Sequence, residues 1–377
     1  MFDLVPGQQR VKELFARAAR DDALSHAYLF AGPEGLGKTA FARELGVALV
    51  TSCGGCGACA ECERARRGAH PDLHLVEREG DVIRKEQIDA IVADLVLRPF
   101  SSRRRVFVIP DVEHLHEAAA NTLLKSLEEP PAYVVFVLVT DRLVGVIPTI
   151  VSRCQLVEFP PLGEAEVESY LLGQFGLAGA EAQALARLSR GAVEHAARLA
   201  ADALGPRHRE EYLRYAAAAV ALQRGGDGPE PADAFIGVLE RLDKETEDRA
   251  DDALARQLAD LEQQFQDKRD LKFHQENAEK RTRREKNRLR RLAAQDALDL
   301  VSAWVRDLWV VACGASDVLW NCDRTDELVA AAVATPDHYA RLLAVIDRTR
   351  KDLSLNIDQR LALQAMFARF EEVATRA

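Results

Sequence analysis

Gly32-Pro33-Glu34-Gly35-Leu36-Gly37-Lys38-Thr39 fits the pattern G-x-x-x-x-G-K-[ST] at every position. Glycines at these places let the backbone wind tightly, so that successive N–H groups point inward at phosphate oxygens. The positive end of a following helix dipole adds to the same anion site. Lys38 is then placed to reach the outer phosphates and Thr39 to ligate Mg²⁺ through its hydroxyl. The chemistry is the binding of ATP or ADP with Mg²⁺. A chance glycine-rich turn is the bland alternative, and the strand-like run before the loop and the helical pattern after it speak against that. Hydrolysis asks for more: a carboxylate on a neighbouring strand to hold the metal, and often a second acid to activate water. The candidate strand, Arg105–Ile109, is followed by Pro110-Asp111-Val112-Glu113. Asp111 alone stands at the strand end, and no adjacent Asp-Glu pair exists there.

A second constellation is Cys53-x-x-Cys56-x-x-Cys59-x-x-Cys62, with Gly54, Gly55 and Gly57 giving the chain freedom to wrap. Four sulfurs at about 2.3 Å around Zn²⁺ make a closed structural site with no open coordination position. C-x-x-C-x-x-C also has the look of a ferredoxin run, but the fourth spacing and the missing proline afterwards argue against iron–sulfur. The nearby His70 and His74 are possible substitute ligands, although single histidines beside a strand are more often structural. Cys154, Cys313 and Cys322 read as ordinary, partly buried thiols, since no poised base accompanies them.

These residues need a frame. The first 160 residues alternate short apolar runs with helical patterns, as a parallel α/β sheet requires. Strands are expected at Ala27–Ala31, Leu73–Glu77, Arg105–Ile109, Val134–Val139 and Gln155–Phe159, and helices at Lys38–Val50, Lys85–Leu97 and Ala118–Leu127. Runs such as Val134–Val139 are apolar on both faces, which suits a covered sheet. After Pro160-Pro161 the texture turns helical, with Glu164–Gln174 and Ala180–Ala200 as helices punctuated by Gly176, Gly179 and Gly191. A turn-rich stretch covers Arg224–Pro229, and helical periodicity runs from Ala232 to the end. We expect three domains: residues 1–160 for nucleotide binding, with the cysteine module at 53–62; a small helical lid at 161–223; and an all-helical domain at 224–377.

Composition narrows the function. A hydrophobic content of 48% with 29% charged residues is ordinary for a soluble globular protein. No run of eighteen apolar residues exists, and the first residues lack the basic start and apolar core of a signal peptide, so a cytoplasmic location is expected. The net charge of −10 argues against indiscriminate nucleic-acid binding but leaves room for a local basic face. Such a face is the segment Lys268–Arg291. Its bland reading is a solvated helix surface; its sharper one is a contact for nucleic acid or an acidic partner.

Asn121-Thr122-Leu123-Leu124-Lys125-Ser126-Leu127-Glu128-Glu129-Pro130-Pro131 resembles the helix that follows the second sheet motif in subunits of the bacterial DNA polymerase III clamp loader. Ser152-Arg153-Cys154 resembles that family's Ser-Arg-Cys motif. Gly7-Gln8, His26–Phe30 ahead of the phosphate loop and the cysteine cluster after the first helix complete an ordered match over about 200 residues. The resemblance implies an AAA+ P-loop domain with an inserted zinc module, then a helical lid and an all-α collar for ring assembly. It implies partners: other clamp-loader subunits of the gamma/tau and delta-like kinds, a sliding clamp and primed DNA. It makes Arg153 an arginine finger directed at a neighbour's ATP, and Thr140 a polar sensor. The motor subunits' Asp-Glu pair falls here on Pro110 and Asp111, and their sensor arginine on Glu194. An acid at that place repels a γ-phosphate. Both departures resemble the family's non-motor, stator subunit. An active motor using Asp111 or Glu113 is the alternative, and a zinc-containing DNA-binding protein using Lys268–Arg291 is a third class.

Overall fold

The apolar runs of the first 160 residues pair into one parallel sheet. In this computed structural model, residues 2, 5–76, 78, 82–201, 206–220, 230–264, 268–355 and 357–375 are described. The turn expected at Arg224–Pro229 lies outside them, as does Glu77 at the end of the second expected strand. The strands are β1 (Ala27–Ala31), β2 (Leu73–Leu75), β3 (Arg105–Ile109), β4 (Val134–Thr140) and β5 (Gln155–Glu158), in the order β2-β3-β4-β1-β5. All pairings are parallel. The helices of this part are α1 (Gln9–Arg20), α2 (Lys38–Val50), α3 (Ala60–Arg66), α4 (Lys85–Leu95), α5 (Glu117–Glu128), α6 (Pro148–Val151) and α7 (Glu164–Phe175).

Alternate residues of each central strand face opposite layers, as the two-residue period of a strand dictates. Tyr28, Phe30, Val106, Val108, Val135 and Val137 pack on one side with Phe15 of α1, Phe41 and Leu45 of α2 and Ala65 of α3. Leu29, Phe107, Ile109, Phe136 and Leu138 pack on the other with Ile88 and Ile91 of α4, Leu123 of α5 and Ile150 of α6. Register then sets the site. Ala31 lies opposite Thr140, and Ile109 opposite Leu138, so the carboxyl ends of β1, β4 and β3 open on the same edge. That edge is where open parallel sheets bind ligands.

The entry to β3 is fixed by one carboxylate. Asp72 is fully buried and accepts from the N–H groups of Phe100 (2.7 Å), Ser101 and Ser102 (3.0 Å each) and from the Ser102 hydroxyl at 2.9 Å. Burial works to raise its pKa, but the donors outweigh burial and hold it below the usual value. Asp72→Ala is expected to cost about 3 kcal/mol in denaturant unfolding, since three N–H donors lose a charged acceptor. The sign of its pH dependence follows. A depressed folded-state pKa stabilises above the unfolded value and loses that stabilisation as pH falls through the folded one. The gap between parent and variant should therefore close in acid, below the ordinary Asp range.

The chain divides into two compact units, one of Met1–Tyr170 with Arg190–Glu194 and one of Leu171–Ser189 with His195–Ala377. The second is helical: α8 (Gly179–Ser189), α9 (Val193–Ala200), α10 (Pro206–Val220), α11 (Pro231–Gln264), α12 (Lys268–Ala312), α13 (Thr325–Ala331), α14 (Pro336–Ser354) and α15 (Gln359–Thr375). The break between α8 and α9 falls at Arg190 and Gly191, whose φ angles of 51° and 83° are left-handed. Its core holds Trp304, Tyr212, Phe235, Tyr339 and Phe370. Buried Asp296 takes a fork from Arg198 at 2.8 and 2.9 Å, with His195 at 3.3 Å.

Helices α11 and α12 run antiparallel as a long hairpin. Lys286 meets Asp251 at 2.6 Å, Arg290 meets Glu247, and Gln275 meets Glu262 at 3.4 Å. The two residue numbers of each pair add to the same total, which is the signature of an antiparallel register. At 45 residues, α12 is about 68 Å long. Among the described residues, no helix is long and apolar enough to cross a membrane.

Candidate nucleotide site, outward arginine and cysteine cluster

The phosphate loop begins where β1 stops. Gly32 is seated so that a Cβ would stand 2.4 Å from the Phe159 carbonyl oxygen. Gly35 and Gly37 have φ angles of 80° and 78°, and Gly37 is the N-cap of α2. Side chains other than glycine are strained in both settings. Pro33 and Glu34 are exposed, Leu36 is buried, and Thr39 is half-buried on the first turn of α2. The loop is also held from its other side, where the Glu194 N–H donates to the Gly35 carbonyl at 2.9 Å. The backbone of Glu194 therefore stands against the loop.

Lys38 is only 4% exposed and its charge is already matched. Its ammonium donates to the Pro33 carbonyl and pairs with Asp141 at 2.7 Å. Asp141 follows directly after β4, one residue beyond Thr140. Thr140 is buried and its hydroxyl accepts from the Arg142 N–H at 3.1 Å. The neighbouring acids are Asp111, held at a left-handed φ of 57°, and Glu113, which accepts from the Asp141 N–H at 3.2 Å. Burial pushes the Asp111 pKa up; Arg78, 4.0 Å away, pulls it down, while Asp141 and Glu113 push it further up. Among the described residues, the sets whose ligand atoms converge within 4.8 Å are the four clustered cysteines and His195, Asp296 and Asp299. Asp111, Glu113 and Asp141 do not form such a set. The site thus offers a wound loop and a lysine to an anion, which would compete with Asp141 for that lysine.

Arg153 sits apart from this edge, in the turn between α6 and β5. Its side chain is one-third exposed; Nη1 donates to the Thr149 carbonyl and Nε to Glu128, each at 3.0 Å. Glu128 closes α5 and is itself half exposed. Exposed pairs of this kind contribute about 0–1 kcal/mol. The guanidinium is therefore held in place yet can be recruited by a stronger anion.

The cysteine cluster lies between α2 and α3. Cys53 Sγ is 3.3 Å from Cys62 Sγ and 3.5 Å from Cys59 Sγ, and Cys56 Sγ is 4.0 Å from Cys62 Sγ. Ligands at about 2.3 Å around one tetrahedral ion stand about 3.8 Å apart, so the spacing fits a single ion. A cluster of several irons would spread the sulfurs further. Left-handed φ angles at Gly54, Gly55 and Gly57 fold the loop around the sulfurs. N–H groups of Cys56 and Cys62 point at Cys53 and Cys59 sulfurs at 3.4 and 3.5 Å. The Cys56 N–H, then Thr51 and Cys62, pull the Cys53 thiol down to about 5; burial pushes Cys62 up to about 11. Arg66 ties the module to α2 with a fork on Glu44, both bonds 2.7 Å, and a bond to the Gly57 carbonyl. The four cysteines can bind zinc. The histidines stay outside the cluster: His70 accepts from the Asp72 N–H, and His74 stacks on Phe107 at 4.7 Å.

Residues 7–163 match the family model described as "DNA polymerase III, delta subunit". Over these residues the chain is similar to subunits of DNA polymerase III. The delta′ subunit of Bacillus subtilis is 36% identical over 170 residues, which is 44% of this chain and 52% of the relative. The delta′ subunit of Pseudomonas aeruginosa is 35% identical over 161 residues, 41% of this chain and 48% of the relative. The tau/gamma subunit of Haemophilus influenzae is 32% identical over 174 residues, 44% of this chain and 25% of the relative. The chain thus spans about half the length of the delta′ relatives it matches. The fold of this domain is a five-stranded parallel sheet with a cysteine cluster, followed by helices. Sequence reasoning missed two residues here. Asp141 had no motif to mark it, although an acid just past the strand beside the phosphate loop is a signal that strand pairing exposes. Glu128 was visible only as part of a helix motif.

Proposed function

We propose that this chain is the delta-prime, stator subunit of a DNA polymerase III clamp loader. In this role it assists ATP-dependent loading of a sliding clamp onto primed DNA, beside gamma/tau and delta-like subunits. The observation that carries the reading is the state of the phosphate loop. Its lysine is engaged by Asp141, the sensor position is the acid Glu194, and Pro110 stands where a motor subunit has a metal-binding carboxylate. The loop residues Gly32–Thr39 can take the phosphates of ATP or ADP, with Thr39 and Asp111 as the Mg²⁺-side groups and Thr140 as a polar sensor. What they lack is an adjacent Asp-Glu pair at the end of β3 to drive hydrolysis. Arg153 is offered in trans to a neighbouring subunit's nucleotide, and Cys53, Cys56, Cys59 and Cys62 hold a structural Zn²⁺. The residues 1–160, 161–223 and 224–377 serve as nucleotide domain, lid and collar.

Clamp loading by a reconstituted complex with and without this chain tests the proposal, together with ATP turnover by the chain alone. Clamp loading that depends on the chain, with negligible turnover alone, is expected. Rapid turnover by the isolated chain, lost in Lys38→Ala, would instead make it a motor. The loop makes its own prediction. Asp141→Asn removes the anion that competes with phosphate, and should tighten binding of fluorescent ADP about fivefold, the equivalent of ~1 kcal/mol for a partly exposed ion pair. Unchanged affinity would mean that Asp141 does not guard the lysine.

A further inference from the structure

The hairpin of α11 and α12 divides its charge between its helices. From Glu240 to Glu262, α11 carries nine acids and four bases; from Lys268 to Arg291, α12 carries eleven bases and four acids. Pairs across the seam engage part of this charge, with Lys286 on Asp251 at 2.6 Å and Arg290 on Asp243 at 3.3 Å and on Glu247. The helical period puts another set on the far side. Leu271, Ala278, Thr282 and Leu289 are at least partly covered and mark the seam, whereas Lys272, Lys280, Arg283, Arg288 and Arg291 are exposed and fall within the opposite half of the circumference. Lys272 and Arg288 make only loose pairs on their own helix, with Glu276 at 3.9 Å and Glu285 at 3.6 Å. Such pairs yield readily to a competing anion.

We propose that this outer face of α12 binds duplex DNA through its phosphates. From Lys272 to Arg291 the face runs about 28 Å, and a duplex presents one phosphate per about 1.7 Å of its axis. The helical period places one aromatic residue, Phe273, in this half, near its Lys272 end, and polar or charged residues at the other positions up to Arg291. A single aromatic residue at one end makes neither the apolar centre that a protein partner needs nor the row of stacking platforms that a single strand needs. The acidic α11 and the net charge of −10 disfavour nucleic acid elsewhere, which directs a duplex to this side. The inference rests on charge and helix geometry alone and does not depend on the clamp-loader reading.

The test uses the full chain and a labelled duplex of about 30 base pairs, titrated by fluorescence anisotropy between about 50 and 200 mM salt, with an expected slope of log K against log salt near −4. Replacing four of the cations (Lys280→Gln, Arg283→Gln, Arg288→Gln and Arg291→Gln together) should weaken binding at least about tenfold at low salt and flatten the slope by about 3 to 4. Arg341→Gln with Arg348→Gln, exposed bases on α14, should change neither. Circular dichroism checks the fold; if the fourfold variant loses helicity, Arg283→Gln alone decides, with a slope change of about 1. The proposal is overturned if the parent shows no salt-dependent duplex binding or the variant binds like the parent. Tighter binding of polyglutamate or of a single strand at equal charge overturns it too.

Discussion

Arg153→Ala is expected to reduce the ATP turnover of the reconstituted clamp loader by roughly 10³-fold or more at the neighbouring site, the range that arginine fingers contribute in phosphoryl transfer. A planar, permanently charged guanidinium can fork onto phosphate oxygens as negative charge develops there, and no other side chain does so as well. In the structure this guanidinium is one-third exposed and held by Glu128, the Thr149 carbonyl and the Ser152 hydroxyl. Its removal leaves no buried group without a partner, so assembly of the complex, followed by gel filtration, should be unaffected. Arg153→Lys separates charge from shape: a lysine keeps the charge but cannot fork, and should recover only a small part of the rate. Full stimulated turnover in Arg153→Ala would remove the trans role and leave the residue as a surface arginine.

The second large effect concerns the cysteine cluster. Cys62→Ser is expected to abolish stoichiometric zinc in the purified protein, measured by atomic emission, because Cys62 is the buried member and packs in the core beneath α2. Structural zinc contributes about 10–16 kcal/mol of apparent binding free energy in small zinc peptides. Only the loop and α3 depend on it here, so the loss should appear as local opening, with rapid hydrogen exchange over residues 52–67 and with β1, β3 and β4 still protected. Cys53 and Cys56 are exposed, so chelation of the parent should make their thiols reactive before the domain unfolds. Zinc retained at full stoichiometry in Cys62→Ser would mean that the other three cysteines suffice.

Much of the first domain can be read from the chain because its signals are local. The bounds of β1 follow from a five-residue apolar run and those of β3 from four apolar residues behind Arg105, and α2 starts at Lys38, directly after the last glycine of the loop. The four cysteines were legible from spacing alone. Contacts between segments distant in sequence were not. That Lys38 faces Asp141, or that Arg153 rests on Glu128, depends on which strand lies beside which, and strand order is set by long-range pairing. Pro110 and Glu194 could be named as departures, yet only the bond from Glu194 to Gly35 places the latter against the loop. The segment Lys268–Arg291 read as either a solvated surface or a contact face. It is the first half of a single long helix, and its partner α11 meets part of its charge.

The constant register between α11 and α12 makes the reach of this hairpin adjustable. Deleting seven residues from each helix, in step, would draw the tip back by about 10 Å while returning every seam residue to an equivalent neighbour. An unmatched deletion in either helix would slip Lys286 and Arg290 away from Asp251 and Glu247. Changes in length along this stretch are therefore tolerable only as compensated pairs, and a shortened arm of this kind would measure how far from its base the tip must extend to be useful.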